Sequence, residues 1–266
     1  MMRLVDLHTH NALCKHATGK PVDYARAAKA QGLAGIGFSD HNPSPNLKDS
    51  WRMEMHELDD YLQEAEAARD AYPDFQVAIG LEVDYFPSEL DWIAELRQRY
   101  SWDYFIGSVH YVAPGWDVDN PRWIGRLEET GVDAVWQLYW TGFQACARSG
   151  LFDLLAHVDL VKKFGHRPEG DLRRFYEPAV EAMLAGGSAM EVSTAGLRKP
   201  IGEIYPARQL LEMVREAGIE VAISSDAHAP EDVGADFAAT ADLLRELGFR
   251  ETVTFERGQR RHLPLE

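Results

Sequence analysis

The stretch VDLHTHNALCKH, residues 5–16, changes character at its centre. Residues 3–7 form an apolar run that predicts a buried strand, and this run stops at His8, Thr9 and His10. His16 follows six residues later. Because alternate residues of a strand point to the same face, His8 and His10 can approach one ion. The stretch therefore predicts a strand whose carboxyl end carries metal ligands.

The order of strand and helix repeats along the chain. Apolar runs predict strands at residues 3–7, 34–39, 77–83, 104–109, 154–158, 189–192 and 220–224. Helical patterns follow at residues 22–31, 54–72, 88–100, 132–149, 172–186, 206–217 and 232–247. Strands that alternate with helices favour parallel pairing. Seven such units without a dinucleotide-binding fingerprint predict an α/β fold, a TIM-like (β/α)7 barrel, with a doubly wound sheet as the alternative.

Two further segments complete the prediction. Residues 111–130, YVAPGWDVDNPRWIGRLEET, contain Pro and Gly and are predicted to form a long loop that could cover a site. The tail FERGQRRHLPLE, residues 255–266, could add one short strand. The whole chain, 1–266, is expected to form a single domain, because this length is ordinary for one α/β barrel.

Composition and charge argue against several classes of protein. The formal net charge is −16, and such an acidic surface repels nucleic acid and anionic lipid. The N-terminal residues lack the apolar core of a signal peptide, and no stretch is apolar enough to span a bilayer. Cys14 and Cys146 are the two cysteines, which is no disulfide framework. We expect a cytoplasmic protein that binds neither nucleic acid nor membrane.

Histidines and carboxylates follow the predicted strands in turn. In a parallel barrel the carboxyl ends of all strands meet at one rim, where active sites are built. The residues at these ends are His8, His10 and His16, then Asp40 and His41, Glu82 and Asp84, His110, His157 and Asp159, Glu191 and Arg198, and finally Asp226 and His228. Asp40, Asp159 and Glu191 are expected behind the ligands, where carboxylates orient imidazoles.

Taken together, these residues predict a metal centre. One histidine at a strand end is ordinarily a hydrogen-bonded residue, and His56, His166 and His262 fit that interpretation. Seven histidines and several carboxylates buried at one rim would repel or stay unpaired without a cation. The mixture suits Zn²⁺, Mn²⁺ or Fe²⁺ and does not choose among them.

Covalent catalysis by a side chain has no candidate in the sequence. A cysteine phosphatase loop requires Arg six residues after its Cys, whereas Lys20 stands six residues after Cys14. The sequence contains no G-x-S-x-G elbow and no GxxxxGK[ST] loop. Metal-assisted hydrolysis is therefore the favoured reaction class.

The motifs resemble those of the polymerase-and-histidinol-phosphatase (PHP) superfamily over the whole chain. The matching residues are HTH at 8–10, His16, DH at 40–41, Glu82, His110, His157, and the D-x-H of Asp226 and His228. Within the superfamily the sequence resembles the monofunctional histidinol-phosphate phosphatases of histidine biosynthesis. This closer similarity rests on SDHNP, GLEVDYFP, DYFIGSVHYV, HVDLVKKFG and EVSTAGLRKPIGEIYP.

The resemblance implies a distorted (β/α)7 barrel that holds about three divalent ions. Three ligand groups follow by matching motif: His8, His10, Glu82 and Asp226; Glu82, His110 and His157; and His16, His41 and His228. The family commonly has an Arg after the histidine that corresponds to His157, whereas this chain has Lys162 and Lys163. Either lysine can contact phosphate, although without the bidentate geometry of arginine.

The activity implied is hydrolysis of L-histidinol phosphate to L-histidinol and phosphate. Metal ions would hold the phosphoryl oxygens and activate a water, while Arg198 and Lys162 or Lys163 bind the phosphate. The candidates for protonating the leaving group are a metal-bound water, Asp226 and His228. Two alternatives stay open: another PHP-type phosphoesterase that acts on a nucleotide or sugar phosphate, and an amidohydrolase-like metallohydrolase. Amidohydrolases have eight strands and usually a metal-bridging lysine at the position where this chain has His110.

Overall fold

A computed structural model describes residues 3–47 and 49–265. Its strands are β1 (Val5–Asp6), β2 (Gly35–Phe38), β3 (Gln76–Asp84), β4 (Tyr104–Ser108), β5 (Tyr111–Ala113), β6 (Trp116–Asp117), β7 (Leu154–Leu155), β8 (Ala189–Ser193), β9 (Val221–Ser224), β10 (Glu251–Glu256) and β11 (Gln259–Pro264). Its α-helices are α1 (Pro21–Ala30), α2 (Leu58–Ala71), α3 (Leu90–Gln98), α4 (Ile124–Thr130), α5 (Val132–Arg148), α6 (Arg173–Gly186), α7 (Arg208–Ala217) and α8 (Phe237–Glu246).

Seven parallel strands form a nearly closed barrel. They lie in the order β1-β2-β3-β4-β7-β8-β9. The two edges meet just beyond β1 and β9, where Thr9 pairs with Ala227 in a parallel bridge. The His10 N–H donates to the Ala227 carbonyl at 2.9 Å, and the Ala227 N–H donates to the His8 carbonyl at 3.2 Å. The predicted (β/α)7 barrel is therefore confirmed.

One of the two local predictions was wrong. The segment 111–130 is not simply a loop, because it contains the β5–β6 hairpin and helix α4. The tail does form one further strand, β11, which pairs with β10 in an antiparallel hairpin that begins at Glu251. Arg257 and Gly258 turn this hairpin with positive φ angles of 51° and 71°. β5 and β6 have only three and two residues and pair with each other, so their periodicity is weak.

The interior of the barrel is apolar below the rim. Inward side chains form one core whose buried members are Val5, Leu7, Ala78, Tyr104, Ile106, Leu154, Ala156, Ala189, Ala222, Val253 and Phe255. The Tyr104 hydroxyl donates to the Leu7 carbonyl at 2.5 Å and so ties β4 to β1 across the interior. Phe255 of β10 stacks on the Tyr104 ring at 5.8 Å. The β10–β11 hairpin thus closes the barrel at the end opposite the carboxyl rim.

The helices cover the outside of the barrel. In α5, Trp136, Tyr139, Trp140 and Phe143 recur at intervals of three and four residues, which places them on one buried face. Trp140 contacts Tyr176 of α6 edge-to-face, with ring centroids 5.4 Å apart. Among the described residues, no helix is both long and apolar enough to cross a membrane.

Gly80 allows β3 and β4 to approach closely, and its substitution tests this packing. A Cβ at Gly80 would overlap the backbone carbonyl oxygen of Tyr104. We expect Gly80→Ala to lower the free energy of unfolding by about 1–3 kcal/mol through overpacking. Denaturant titration of the metal-loaded protein measures the change.

Gly125→Ala is the matched control for this substitution. Gly125 lies exposed in α4, and an added Cβ would meet no atom within 4 Å. Because alanine favours helix over glycine, this variant should be stabilised by about 0.5–1 kcal/mol. Equal stability of the two variants would contradict the close approach at Gly80.

Candidate metal centre and active-site cavity

The first candidate metal group lies where the two edges of the barrel sheet, β1 and β9, meet. The Nε2 atoms of His8 and His10 lie 3.3 and 3.4 Å from the same oxygen of Glu82, Oε2. They also lie 3.7 and 3.2 Å from Oδ1 of Asp226. Two imidazoles and two carboxylates thus converge, as expected from the alternation of His8 and His10.

The second group uses the other oxygen of Glu82. Oε1 lies 2.9 Å from His157 Nε2 and 3.6 Å from His110 Nε2. Ligand atoms of these three residues lie close enough together to hold one ion. Because the side chain of Glu82 is buried and its two oxygens face different groups, it can bridge two cations.

The third group is made of imidazoles at the outer edge of the site. The Nε2 atoms of His16 and His228 are 2.9 Å apart. The His41 ring lies 5.5 Å from that of His16, and its Nδ1 lies 2.9 Å from Glu82 Oε2. Together with His228, His10 and His41 also bring ligand atoms close enough for one ion. This group therefore adjoins the first one, and His41 is its point of contact with Glu82.

The donor set fits divalent cations. Within the described residues, the buried Nε2 atoms of His8 and His10 and the Nδ1 atom of His41 lie close to carboxylate oxygens but make no contact with hydrogen-bond geometry. An unpaired polar atom in a buried position is costly, whereas imidazole nitrogen and carboxylate oxygen are good ligands for first-row divalent metals. Cations at these groups would satisfy the three nitrogens at once.

Buried carboxylates hold the imidazoles from behind. Glu191 lies 2.7 Å from Nδ1 of His8, and Asp40 lies 3.4 Å from Nδ1 of His10. Asp84 lies 2.7 Å from Nδ1 of His110. A carboxylate at Nδ1 fixes the ring orientation and leaves Nε2 available as a ligand.

Asp84 was not assigned this role from the sequence. Burial works to raise its pKa, but His110 and Arg52 outweigh burial and bring the pKa to about 2. Asp84 stands two positions after Glu82 on β3, so the strand period places both on the inner face. That spacing was the available signal.

The Asp159 carboxylate lies elsewhere. Its Oδ2 accepts from Lys162 Nζ at 2.9 Å and from the Ala207 N–H at 2.8 Å, rather than from an imidazole. The expectation that it orients a histidine is wrong, because the chain turns at Asp159 with a φ of 68° and directs the carboxylate to Lys162.

Two ligand positions have left-handed backbones. His157 has a φ of 23° and Asp226 a φ of 51°. Such conformations cost free energy and persist where the surroundings fix them. Glu191 accepts from the His157 N–H at 2.5 Å, and Asp6 accepts from both the N–H and the hydroxyl of Ser225, at 3.0 and 2.5 Å. Buried carboxylates therefore hold the backbone of the site as well as its rings.

The electrostatics keep the central carboxylates ionised. Burial works to raise the pKa of Glu82, but His41, His8 and other imidazoles hold it well below its usual range. The pKa of Asp226 is likewise held well below its usual range, because His8 outweighs burial. Burial lowers the pKa of His228 to about 3, so this imidazole is neutral, the form that binds metal.

A cavity of about 430 Å³ opens above these groups. It is lined by His16, His41, Trp51, Glu82, His110, Asp117, Asp119, Asn120, Pro121, His157, Leu160, Lys163, Lys199, Tyr205, Asp226 and His228. Residues 117–121 come from the segment predicted to be a covering loop. His8 and His10 lie beneath this surface and are fully buried.

The comparisons with known proteins agree with this geometry. The PHP domain family model matches residues 6–195. A probable histidinol-phosphatase of Deinococcus radiodurans is 40% identical over 257 residues, which are 96% of this chain and 97% of that protein. This chain belongs to the PHP domain family.

Two more distant proteins are also similar to this chain. The histidinol-phosphatase of Bacillus subtilis is 27% identical over 90% of this chain and 98% of its own. A crystal structure of the histidinol phosphate phosphatase of Lactococcus lactis, complexed with zinc, L-histidinol and phosphate, superposes with a TM-score of 0.81. The superposition covers 98% of this chain and 100% of the Lactococcus lactis chain at 19% sequence identity. It shows that the two proteins share a fold.

The candidate phosphate-binding cations occupy different places in the PHP domain. Lys163 lines the cavity. Lys162 is fully buried, and its ammonium binds Asp159, Glu203 and the Ile204 carbonyl. Because those contacts hold it away from the cavity, the prediction that Lys162 contacts phosphate does not fit its placement.

Arg198 and Lys199 complete the set of cations. Arg198 does not line the cavity, and its guanidinium donates to the Ser225 carbonyl at 2.6 Å. Ser225 immediately precedes Asp226, so Arg198 lies at the border of the metal groups. Lys199 does line the cavity, and sequence reasoning missed it.

Glu82→Gln tests the bridging position in the PHP domain. An amide has one neutral oxygen, so it cannot serve two cations as a carboxylate does. We expect this variant to lose metal from two groups together. Asp84→Asn should lose less, because His110 is the one proposed ligand that Asp84 contacts and its other partner is Arg52. Elemental analysis of the wild type and both variants, purified side by side without chelators, measures the difference. Full metal content in Glu82→Gln would refute the shared ligand.

Proposed function

We propose that this protein is a metal-dependent phosphate monoester hydrolase that converts L-histidinol phosphate and water to L-histidinol and phosphate, a step of histidine biosynthesis. The observation that carries the proposal is the convergence of imidazoles and carboxylates beneath a cavity whose wall includes Lys163. The relatives named for histidinol-phosphatase activity match nearly the whole chain and support this substrate.

The proposed ligands are His8, His10, His16, His41, Glu82, His110, His157, Asp226 and His228. Divalent ions held there would polarise the phosphoryl oxygens and lower the pKa of an attacking water. Zinc in the Lactococcus lactis structure supports Zn²⁺ as one occupant, with Mn²⁺ and Fe²⁺ as alternatives.

The remaining steps belong to the side chains around the cavity. Lys163 provides a positive charge for the phosphate oxygens. Arg198, whose side chain is about a quarter exposed, can exchange its contact with the Ser225 carbonyl for a phosphate oxygen. Asp226 and His228 line the cavity and are the proposed relay to the leaving alkoxide. Because Asp226 is ionised and His228 is neutral, the proton that they pass on would come from the attacking water.

A phosphate-release panel tests the proposed function. The metal-loaded protein is assayed with L-histidinol phosphate, nucleoside monophosphates and sugar phosphates. We expect kcat/KM to be highest for L-histidinol phosphate. A clear preference for a nucleotide or sugar phosphate would replace the substrate assignment while leaving the phosphoesterase class, and release from none of them would overturn both.

Metal stoichiometry provides a separate prediction. Nine proposed ligands exceed what two ions need, so we expect about three divalent ions per chain in protein purified without chelators. The third group should lose its ion first on mild chelation, because His16 is exposed and His228 is only partly buried. Elemental analysis along a chelator titration measures both quantities. An active, unstripped sample that contains a single ion would rule out the cluster.

Substitution of Arg198 tests its proposed contact with phosphate. A charge-assisted hydrogen bond to phosphate corresponds to a loss of roughly 10- to 150-fold in kcat/KM when it is removed. We expect such a loss in Arg198→Ala with unchanged metal content, and partial recovery in Arg198→Lys because the bidentate geometry is missing. Steady-state kinetics and elemental analysis on one preparation make the comparison. Wild-type activity in Arg198→Ala would show that the guanidinium does not bind phosphate and serves only its contact with the Ser225 carbonyl.

A further inference from the structure

Asp119 and Lys163 form an ion pair in the wall of the cavity. Lys163 Nζ donates to Asp119 Oδ2 at 2.9 Å, and both residues line the cavity above the metal groups. The two residues come from different parts of the chain, Asp119 from the segment after β6 and Lys163 from the turn after β7. Both side chains are partly exposed, Asp119 by 28% and Lys163 by 16%. The pair is thus within reach of a bound ligand.

The acceptor capacity of Asp119 distinguishes it from the other carboxylates of the cavity. Glu82 and Asp226 face the imidazoles of the metal groups. Both carboxylate oxygens of Asp117 already accept hydrogen bonds from its own segment. Oδ1 accepts from Arg122 and Trp123, and Oδ2 accepts from Asn120. Within the part of the chain that the structure describes, Lys163 is the donor to Asp119, and Oδ1 of Asp119 accepts no hydrogen bond. Asp119 therefore has an oxygen available to a ligand.

Binding of a phosphate at Lys163 has a consequence for its partner. If the ammonium turns to the phosphate, the Asp119 carboxylate loses its cation in a largely enclosed wall, and breaking such a pair from one side is costly. A ligand that brings its own cation removes this cost. A phosphate monoester with a protonated amine would replace both halves of the ion pair, its phosphate at Lys163 and its ammonium at Asp119.

We propose that Asp119 is the specificity-determining residue that selects a phosphate monoester carrying a primary ammonium group. This inference rests on the proposed function, since L-histidinol phosphate has such an amine a few bonds from its phosphate. Between the two nitrogen groups of that substrate, the alkylammonium is the partner, because it stays charged at neutral pH whereas an imidazole is mostly neutral. Asp119 is itself ionised: burial works to raise its pKa, but Lys163 and His110 hold it below its usual value.

A pair of matched substrates isolates the ammonium contact. L-histidinol phosphate is compared with 3-(imidazol-4-yl)propyl phosphate, which has the same ring, chain and phosphate but no amine. We expect Asp119→Asn to lower kcat/KM for L-histidinol phosphate by roughly 10- to 150-fold, the range for losing one charged contact. The amine-free phosphate should lose far less, because it never used Asp119, and Lys163 is then released from its partner.

Asp117→Asn is the matched control, since Asp117 is a carboxylate two residues away whose oxygens serve its own segment. It should affect both substrates alike. Metal content and melting temperature are measured for both variants, and Asp119→Ser replaces Asp119→Asn if the latter is unstable. The Asp119 variant could lose equal activity on the two substrates while the wild-type protein hydrolyses L-histidinol phosphate. That result would overturn the role of Asp119 and leave the proposed function standing. An inactive wild type would instead overturn the proposed function.

Discussion

The contact between the buried Glu82 carboxylate and the imidazoles around it is the constraint on which the rest of the site depends. His8, His10 and His41 approach one of its oxygens within 3.4 Å, and His157 approaches the other at 2.9 Å. A single negative charge cannot balance so many nitrogens by hydrogen bonding, and several of them have no other partner among the described residues. The arrangement fits the binding of cations, and the carboxylates Glu191, Asp40 and Asp84 orient the rings of His8, His10 and His110 toward that centre.

The same strand connects this centre to the stability of the barrel. Ala78 belongs to the core inside the barrel, and Gly80, Glu82 and Asp84 follow it at intervals of two along β3. Small residues at the lower positions make room for Tyr104, whose hydroxyl reaches Leu7 on β1. The inner face of one strand therefore passes from core packing to ligand binding within a few residues, and a shift of its register would disturb both.

The sequence predicted the barrel and the converging ligands because both follow from local signals. Strand ends are marked by abrupt changes from apolar to polar residues, as at His8 and Glu82, and a parallel barrel brings all such ends to one rim. What could not be predicted depends on turns and on distant partners. Lys162 and Lys163 are neighbours in the chain, and only the turn after β7 determines that one pairs with Asp159 and the other with Asp119. The partner of Asp84, the β5–β6 hairpin and the position of Lys199 likewise depend on contacts that no short window of sequence contains.

The parallel bridge between Thr9 and Ala227 has a consequence for the order of events during synthesis of the protein. It joins positions more than two hundred residues apart, and the first candidate metal group takes His8 and His10 from one side of it and Asp226 from the other. Contacts of such long range form late, because the intervening chain must first be ordered. A ribosome-bound chain that has not yet reached Asp226 carries its first two histidines without their closing carboxylate. A cation bound by this group would therefore meet all four of its residues only after the barrel has closed.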